Sequence, residues 1–307
     1  MAVLISAVSA VLAGLCLAAS GVLQQRAAAK RPSTERMSAR LVIELARDRW
    51  WVLGIGLAVL SYGFQALALS FGPLILVQPL IVSELLFAIP ASVRLRGLRL
   101  GWRERCAVVG VVVGLAVGMV SADPQTGQPV QPFVTWIPAL VAIAAIVTAG
   151  LVFARFRSGP AKAGGIAFAG ACAMGLQSAL YDATITLLPQ GFLQVFLTWE
   201  PYALIAVSLL GAFLVQNAYQ AGPLAASTPV MDSTLPLVAI GLGVGLFGET
   251  IRTAPWALAG TGLGLVLLIA GILVLDASPV VRRQQRIDER ERDGETEQSP
   301  ADERTQP

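Results

Sequence analysis

Two acidic residues interrupt long apolar blocks of this sequence. Glu84 lies within the block at 73–92, and Asp232 lies within the block at 223–247. Inserting a carboxylate at the centre of a bilayer costs on the order of 2.5 to 3.5 kcal/mol, so neither side chain is expected to face lipid. Intramembrane acids commonly bind ions or relay protons. We predict that Glu84 and Asp232 form a cation or proton-coupling site; the alternative is that both are protonated, hydrogen-bonded packing groups.

If the bound cation is a metal ion, Glu84 and Asp232 are its predicted ligands, because ions such as magnesium take oxygen ligands and keep several waters. The other residues predicted to bind the solute are Ser83, Ser233, Gln177, Gln216 and Asn217. Asp182 lies nearer the membrane surface, where it is either a water-exposed gate or an interfacial residue. The chain has no histidine. Any proton relay must therefore use carboxylates, and a zinc or copper site is not expected.

Three prolines inside apolar blocks are predicted to open the helix backbone near these acids. Pro79 and Pro229 occupy equivalent places in two blocks, and Pro236 lies one helical turn after Asp232. A proline inside a helix removes one hydrogen bond and displaces the carbonyl four residues earlier. Such freed carbonyls are tolerated at membrane depth only where they are buried in protein or line a cavity. The prolines therefore indicate helix breaks along a solute path, with a simple packing kink as the alternative.

The apolar blocks themselves are long enough to be membrane-spanning helices. Of the 307 residues, 55% are hydrophobic and 13% are charged, and a spanning helix needs about 20 predominantly apolar residues. We therefore predict an all-α polytopic membrane protein with about nine transmembrane helices. The predicted spans are 2–23, 50–70, 73–92, 106–121, 134–153, 164–187, 202–220, 223–247 and 255–275. The polar, charge-rich segment at 276–307 is predicted to be a disordered cytoplasmic tail.

Basic residues favour one side of the predicted membrane. All of them except Arg252 lie in the connections after the first, third and fifth spans or in the tail. Because loops rich in lysine and arginine stay in the cytoplasm, the N-terminus is expected outside and the C-terminus in the cytoplasm of a bacterial plasma membrane. The net charge of +3 is explained by these loops, so no nucleic-acid partner is expected.

A repeated motif divides the chain into two related halves. The segment Phe-Gly-Pro-Leu at 71–74 recurs as Ala-Gly-Pro-Leu at 221–224, and at the same offset Ser83 corresponds to Ser233. The predicted organisation is a four-helix repeat at 1–121, a connecting helix at 134–153 and a second four-helix repeat at 164–275. An odd number of crossings separates the copies, so the second is inverted. Secondary transporters use this 4+1+4 type of plan to place a substrate site at the midplane.

Glycines recur at helical spacing in the fourth and ninth spans. They are Gly110, Gly114 and Gly118 in the fourth span and Gly260, Gly264 and Gly271 in the ninth. Small residues at such spacing permit close contact between helices. We expect these glycines to pack against another helix of the chain or at the seam of a homodimer.

Several short motifs resemble those of the drug/metabolite transporter superfamily, within it the branch of NIPA-type magnesium transporters. The motifs are Trp50-Trp51, Val77-Gln78-Pro79-Leu80, Gln216-Asn217-Ala218, Thr228-Pro229-Val230 and Phe247-Gly248-Glu249. The resemblance covers nearly all of residues 1–276. It implies an inverted-repeat helical fold and the transport of a small solute such as magnesium.

The function expected from these features is secondary transport by alternating access, without a cofactor and without enzymatic activity. The sequence has no P-loop motif, so ATP is not expected to power it directly. The expected partners are the lipid bilayer and either a divalent cation such as magnesium or a small organic metabolite. The alternative is a non-transporting assembly protein or a lipid-handling protein. A catalytic role predicts polar clusters near the membrane surface, whereas the strongest acids here are central.

Overall fold

The computed structural model describes residues 1–28, 48–95, 101–222 and 224–276. Its helices are α1 (Ala2–Ala28), α2 (Arg49–Phe71), α3 (Leu74–Ile81), α4 (Glu84–Leu95), α5 (Trp102–Ala122), α6 (Phe133–Arg155), α7 (Gly159–Leu187), α8 (Phe192–Val195), α9 (Glu200–Ala221), α10 (Leu224–Gly245) and α11 (Pro255–Asp276). These ranges contain helices and no strand, which confirms the predicted all-α class. Beyond its first residue, the predicted disordered tail lies outside the described residues.

Eight of the helices are long and apolar enough to cross a membrane, namely α1, α2, α5, α6, α7, α9, α10 and α11. The chain is therefore an integral membrane protein, as predicted. The block at 73–92, predicted as one span, instead forms two short helices, α3 with 8 residues and α4 with 12 residues. At 1.5 Å per residue, neither helix alone crosses a hydrocarbon core of about 30 Å.

Helix α7 is the most enclosed of the membrane-length helices. In its most apolar window 78% of the residues are buried, against 33% or less for the other membrane-length helices. Alanine and glycine dominate its sequence, and such small residues let neighbouring helices approach closely. Helices α2, α6, α9 and α10 all contact α7. It is therefore the element around which the other helices are placed.

The remaining contacts follow a repeated pattern. Helix α1 packs along α2, and α7 packs along α9. Helix α5 packs along α11, and α3 contacts α10. In the predicted repeat, α1 and α2 correspond to α7 and α9. The contacts of α5 with α11 and of α3 with α10 each join a helix of the first repeat to the helix predicted to correspond to it in the second.

Glycines allow the backbones of α5 and α11 to touch. A Cβ on Gly114 would lie 2.7 Å from the carbonyl oxygen of Gly264, and a Cβ on Gly264 would lie 2.5 Å from the Cα of Gly118. These distances leave no room for a side chain, so the seam requires glycine. The expectation that the glycines pack against another helix of the chain is confirmed for these three residues.

Replacing Gly264 by Ala is expected to lower the thermal stability of the purified protein, because the added methyl group meets backbone atoms of α5. Overpacking of this kind costs about 1–3 kcal/mol. Gly262→Ala is the matched control, since an added Cβ at Gly262 has nothing within 4 Å and alanine favours the helix. Thermal unfolding of both variants in detergent measures the difference. Equal melting temperatures would contradict the seam.

The loops after α5 and α10 pair through backbone hydrogen bonds, and we call residues 122–128 and 247–252 the loop clasp. The N–H of Gln125 donates to the carbonyl of Thr250 at 2.8 Å, and the N–H of Gln128 donates to the carbonyl of Phe247 at 2.8 Å. The N–H of Arg252 donates to the carbonyl of Ala122 at 2.7 Å. Arg252 also forms an ion pair with Asp123 at 2.5 Å. The clasp fixes the ends of two membrane-length helices to each other on one face of the bundle.

Candidate functional site

The gap between α3 and α4 places Glu84 at the start of a helix inside the bundle. Beyond Ile81 the backbone hydrogen bonds span three residues instead of the four of an α-helix. The N–H of Ser83 donates to the Leu80 carbonyl at 3.1 Å, and the N–H of Leu85 donates to the carbonyl three residues earlier. Glu84 is the first residue of α4. The partial positive charge at a helix N-terminus favours a carboxylate there. The break therefore creates a polar position at membrane depth.

The prolines do not break the helices in the way that the sequence predicted. Helix α3 continues through Pro79 to Ile81, and α10 is continuous through Pro229 and Pro236. The backbone opens at Val82–Ser83 instead, after one further turn. A proline removes a single N–H donor, and neighbouring helices can hold the rest of the helix in place. The predicted break in the second half of the chain is therefore wrong.

Helix α1 supports the break through Gly14. A Cβ on this glycine would lie 2.9 Å from the carbonyl oxygen of Ile81 and 3.1 Å from the nitrogen of Glu84. Only a residue without a side chain lets α1 approach the break so closely. The hydroxyl of Ser83 also lies against Gly14, where it is buried without a hydrogen-bond partner.

Glu84 and Asp232 line one cavity of about 160 Å³, which we call the central cavity. The other polar residues that line it are Ser61, Tyr62, Gln65, Gln78, Gln177 and Ser178. The apolar part of the lining is Leu17, Ile81, Val82, Leu85, Met174, Leu235 and Pro236. None of these lining residues is basic. The structure thus brings together three predicted site residues, Glu84, Asp232 and Gln177.

Two serine hydroxyls that line the central cavity present oxygen lone pairs to it. Ser61 donates its proton to the carbonyl of Ala13 at 2.8 Å, and Ser178 donates to the carbonyl of Met174 at 3.1 Å. A serine hydroxyl has one proton and two lone pairs, so both oxygens remain free to accept. Together with two carboxyl groups, this lining suits a cation better than an anion.

Several polar residues near the acids were absent from the predicted site, and Gln78 and Tyr219 are two of them. Gln78 lines the central cavity and is 3% exposed, and its Nε2 has no hydrogen-bond partner. Tyr219 of α9 lies within electrostatic range of both Glu84 and Asp232. Both are polar residues inside apolar blocks, which is the same signal that singled out the two acids.

Four of the predicted binding residues lie outside the lining of the central cavity, namely Ser83, Ser233, Gln216 and Asn217. The hydroxyl of Ser233 is buried without a hydrogen-bond partner. Gln216 is on an exposed face of α9, and the Nδ2 of Asn217 donates to the carbonyl of Phe213 on its own helix at 2.7 Å. The two residues predicted on α9, Gln216 and Asn217, therefore do not line the central cavity.

Glu249, in the loop clasp, caps the N-terminus of α3. Its Oε1 accepts from the N–H of Leu74 at 2.6 Å and its Oε2 accepts from the N–H of Ile75 at 2.9 Å. The first N–H groups of a helix have no partner within it, and a carboxylate is favoured there by the helix dipole. Burial raises the pKa of Glu249, and the two N–H donors partly offset that rise. The cap joins the clasp to the helix that ends beside Glu84.

A second cavity, of about 300 Å³, lies at the loop clasp, and we call it the clasp cavity. Asp182 and Glu249 both line it. Asp182 is 1% exposed, so its side chain is enclosed within the bundle and is not open to water outside it. Ser178 lines the central cavity one turn earlier on α7, about 6 Å along the helix axis. The two cavities are thus stacked along α7.

Neither cavity offers a complete set of protein ligands for a bare metal ion. Within the described ranges, no group of three or more His, Cys, Asp or Glu residues could hold one. The predicted ligands Glu84 and Asp232 supply two carboxyl groups. A metal ion between them would therefore keep part of its water shell, as magnesium does in many proteins.

Comparison with known proteins identifies a relative of the whole chain. The chain is 30% identical over 274 residues to an uncharacterized protein of Corynebacterium glutamicum. The alignment covers 89% of this chain and 94% of the relative. No family model matches the chain, and no solved structure matches it. With this identity over nearly the full length of both proteins, the chain belongs to the family of that corynebacterial protein.

Proposed function

We propose that this protein is a secondary transporter that moves a small cationic solute by alternating access at the central cavity. The observation that carries the proposal is that Glu84 and Asp232, from different helices, line one cavity beside a helix break. Secondary transporters commonly build their sites at midplane from discontinuous helices. Intramembrane acids are costly to insert and are usually retained for function.

The proposed architecture is the 4+1+4 inverted repeat, in which α3 and α4 cross the membrane together as one broken span. The helix contacts support it, because α1 with α2 matches α7 with α9. The contacts of α5 with α11 and of α3 with α10 each pair predicted counterparts, as expected for helices beside a two-fold axis. This arrangement agrees with the resemblance to the drug/metabolite transporter superfamily.

The proposed orientation has the N-terminus outside and the C-terminus in the cytoplasm. It is supported by the distribution of basic residues, because only Arg252 lies on the side opposite the others. Arg252 belongs to the loop clasp, so in this orientation the clasp faces the outside. The resulting location is the plasma membrane.

The proposed substrate is a divalent cation such as magnesium or a small organic cation. Both classes are favoured by two acids and by lining hydroxyls that present lone pairs. A metal ion uses carboxylates, serine and amide oxygens together with retained water. An organic cation uses the acids for its charged group and the apolar residues, such as Met174 and Leu235, for the rest.

A flux measurement on purified protein tests this proposal. Proteoliposomes that contain a magnesium indicator are expected to accumulate magnesium faster than protein-free vesicles, with a rate that saturates. Alternatively, a labelled organic amine enters at a saturable rate that magnesium inhibits. Flux equal to that of protein-free vesicles for both classes would contradict the proposal and favour a non-transporting protein.

A further inference from the structure

The clasp cavity contains a buried carboxyl group whose side chain is not fully satisfied by the protein. Asp182 is 1% exposed, and its Oδ1 has no hydrogen-bond partner. A buried, ionised carboxylate is strongly unfavourable unless it is paired or hydrogen-bonded. The group lines an open volume of about 300 Å³, roughly ten times the share of one water in liquid, about 30 Å³. The cavity therefore has room for an ion that keeps water.

Two of the hydroxyls that line the clasp cavity are arranged as acceptors. Ser70 donates its proton to the carbonyl of Ala66 at 2.9 Å, and Thr186 donates to the backbone carbonyl of Asp182 at 2.9 Å. Both hydroxyls line the clasp cavity, and each has only its lone pairs left to offer. Neither of these two hydroxyls has a proton left to donate to an anion.

Glu249 adds a second carboxylate to the same cavity. Each of its oxygens accepts one N–H from the start of α3, and a carboxylate oxygen has a second lone pair. Asp182 and Glu249 lie within electrostatic range of each other. No lysine or arginine is among the described residues that line the cavity. Two carboxyl groups therefore share a space that no cationic side chain lines.

We propose that the clasp cavity binds a hydrated divalent metal ion through Asp182, with Glu249 as the second carboxylate. Two negative charges match the charge of such an ion, and the lining supplies further oxygens from Ser70 and Thr186. Hard divalent cations take oxygen ligands and keep several waters when few carboxylates are available. The site shares no lining residue with the central cavity.

This inference goes beyond the proposed transport function and does not depend on it. If the central cavity transports a cation, the clasp site lies about one turn of α7 away and is placed to load it. If the central cavity does not transport, the clasp site still binds an ion that links α7 to the loop after α10. Metal binding to the clasp site is measured without flux, so its outcome is separate from that of a flux assay.

Manganese is the probe, and its binding to the purified full-length protein is measured by electron paramagnetic resonance. Asp182→Asn is expected to weaken one manganese site by at least about tenfold, since even an outer-shell partner contributes about 10- to 100-fold to metal affinity. The double variant Glu84→Gln/Asp232→Asn retains that site. Asp123→Asn is the matched control, because this acid of the clasp pairs with Arg252 and does not line the cavity.

A second measurement locates the ion without changing Asp182. A nitroxide attached to the Leu193→Cys/Cys106→Ala variant, on the clasp face, should be broadened by bound manganese. A nitroxide on Cys106, which is exposed near the other end of the bundle, should not. Unchanged manganese binding by Asp182→Asn, absence of manganese binding by the wild-type protein, or equal broadening of both labels would each overturn the clasp site.

Discussion

Replacing Glu84 by Gln, or Asp232 by Asn, is expected to reduce solute flux in proteoliposomes to near the level of protein-free vesicles. If the two carboxyl groups share one cation, either change removes a charge that the site requires. Removing an intramembrane charge eases insertion, so the loss cannot be attributed to a failure to enter the membrane. Flux is measured at equal amounts of reconstituted protein, and thermal unfolding confirms that the variants are folded.

Gln216→Ala is the control for these variants. Gln216 was also predicted to bind the solute, but it lies on an exposed face of α9, so flux should stay close to that of the wild-type protein. The competing explanation is that Glu84 and Asp232 are protonated packing groups. Near-normal flux in both amide variants would support that explanation and move the solute site elsewhere.

Replacing Glu249 by Gln is expected to give a large loss of stability for a single polar substitution. The carboxylate accepts two N–H bonds at the start of α3, whereas an amide has one oxygen and turns its NH₂ group toward the other N–H. Hydrogen bonds to charged groups contribute about 1.5–3 kcal/mol, and an unsatisfied buried donor adds a further cost. Thermal unfolding in detergent measures the effect.

The ion pair of Asp123 and Arg252 provides the comparison within the same loop clasp. Its side chains are 52% and 41% exposed, respectively, and exposed ion pairs contribute about 0–1 kcal/mol. Asp123→Asn should therefore change the melting temperature much less than Glu249→Gln. If Asp123→Asn destabilised the protein as much or more, the buried cap would not be the main link between the clasp and α3.

The presence of Glu84 and Asp232 in one cavity could be predicted because it depends on local sequence and on the repeat. Each acid stands out within its own apolar block, and the shared offset of the two halves places them at nearly equivalent depths. The glycine seam between α5 and α11 is predictable for the same reason. Small residues at helical spacing mark a contact face, although their spacing alone does not identify the partner helix.

The helix break and the cap could not be predicted, because both depend on residues far apart in the chain. The break at Val82–Ser83 is supported by Gly14 of α1, whose sequence shows nothing unusual for an apolar helix. The cap joins Glu249 to Leu74, which is 175 residues away. The proline pattern predicted breaks in both halves, whereas α10 is continuous through Pro229 and Pro236.

The faces of α9 and α7 show a further limit of sequence reasoning. Gln216 and Asn217 are polar residues in an apolar block, as Gln177 is, yet only Gln177 lines the central cavity. The difference is the direction that each residue faces on its helix, α9 for Gln216 and Asn217 and α7 for Gln177. Helices that are apolar on every side carry little periodic signal, so the rotation is set by tertiary packing.

The central claim, alternating access at the central cavity, is tested most directly by the reactivity of a cysteine placed in its lining. Ser178→Cys is introduced after Cys16, Cys106 and Cys172 are replaced by alanine, and oriented vesicles receive a membrane-impermeant thiol reagent from one side at a time. The claim predicts reaction from both sides, slowed by the transported solute, whereas Ser9→Cys, buried on α1 and outside the cavity, stays unreactive. A Ser178→Cys variant that reacts from neither side, or at a rate that the solute does not change, would contradict it.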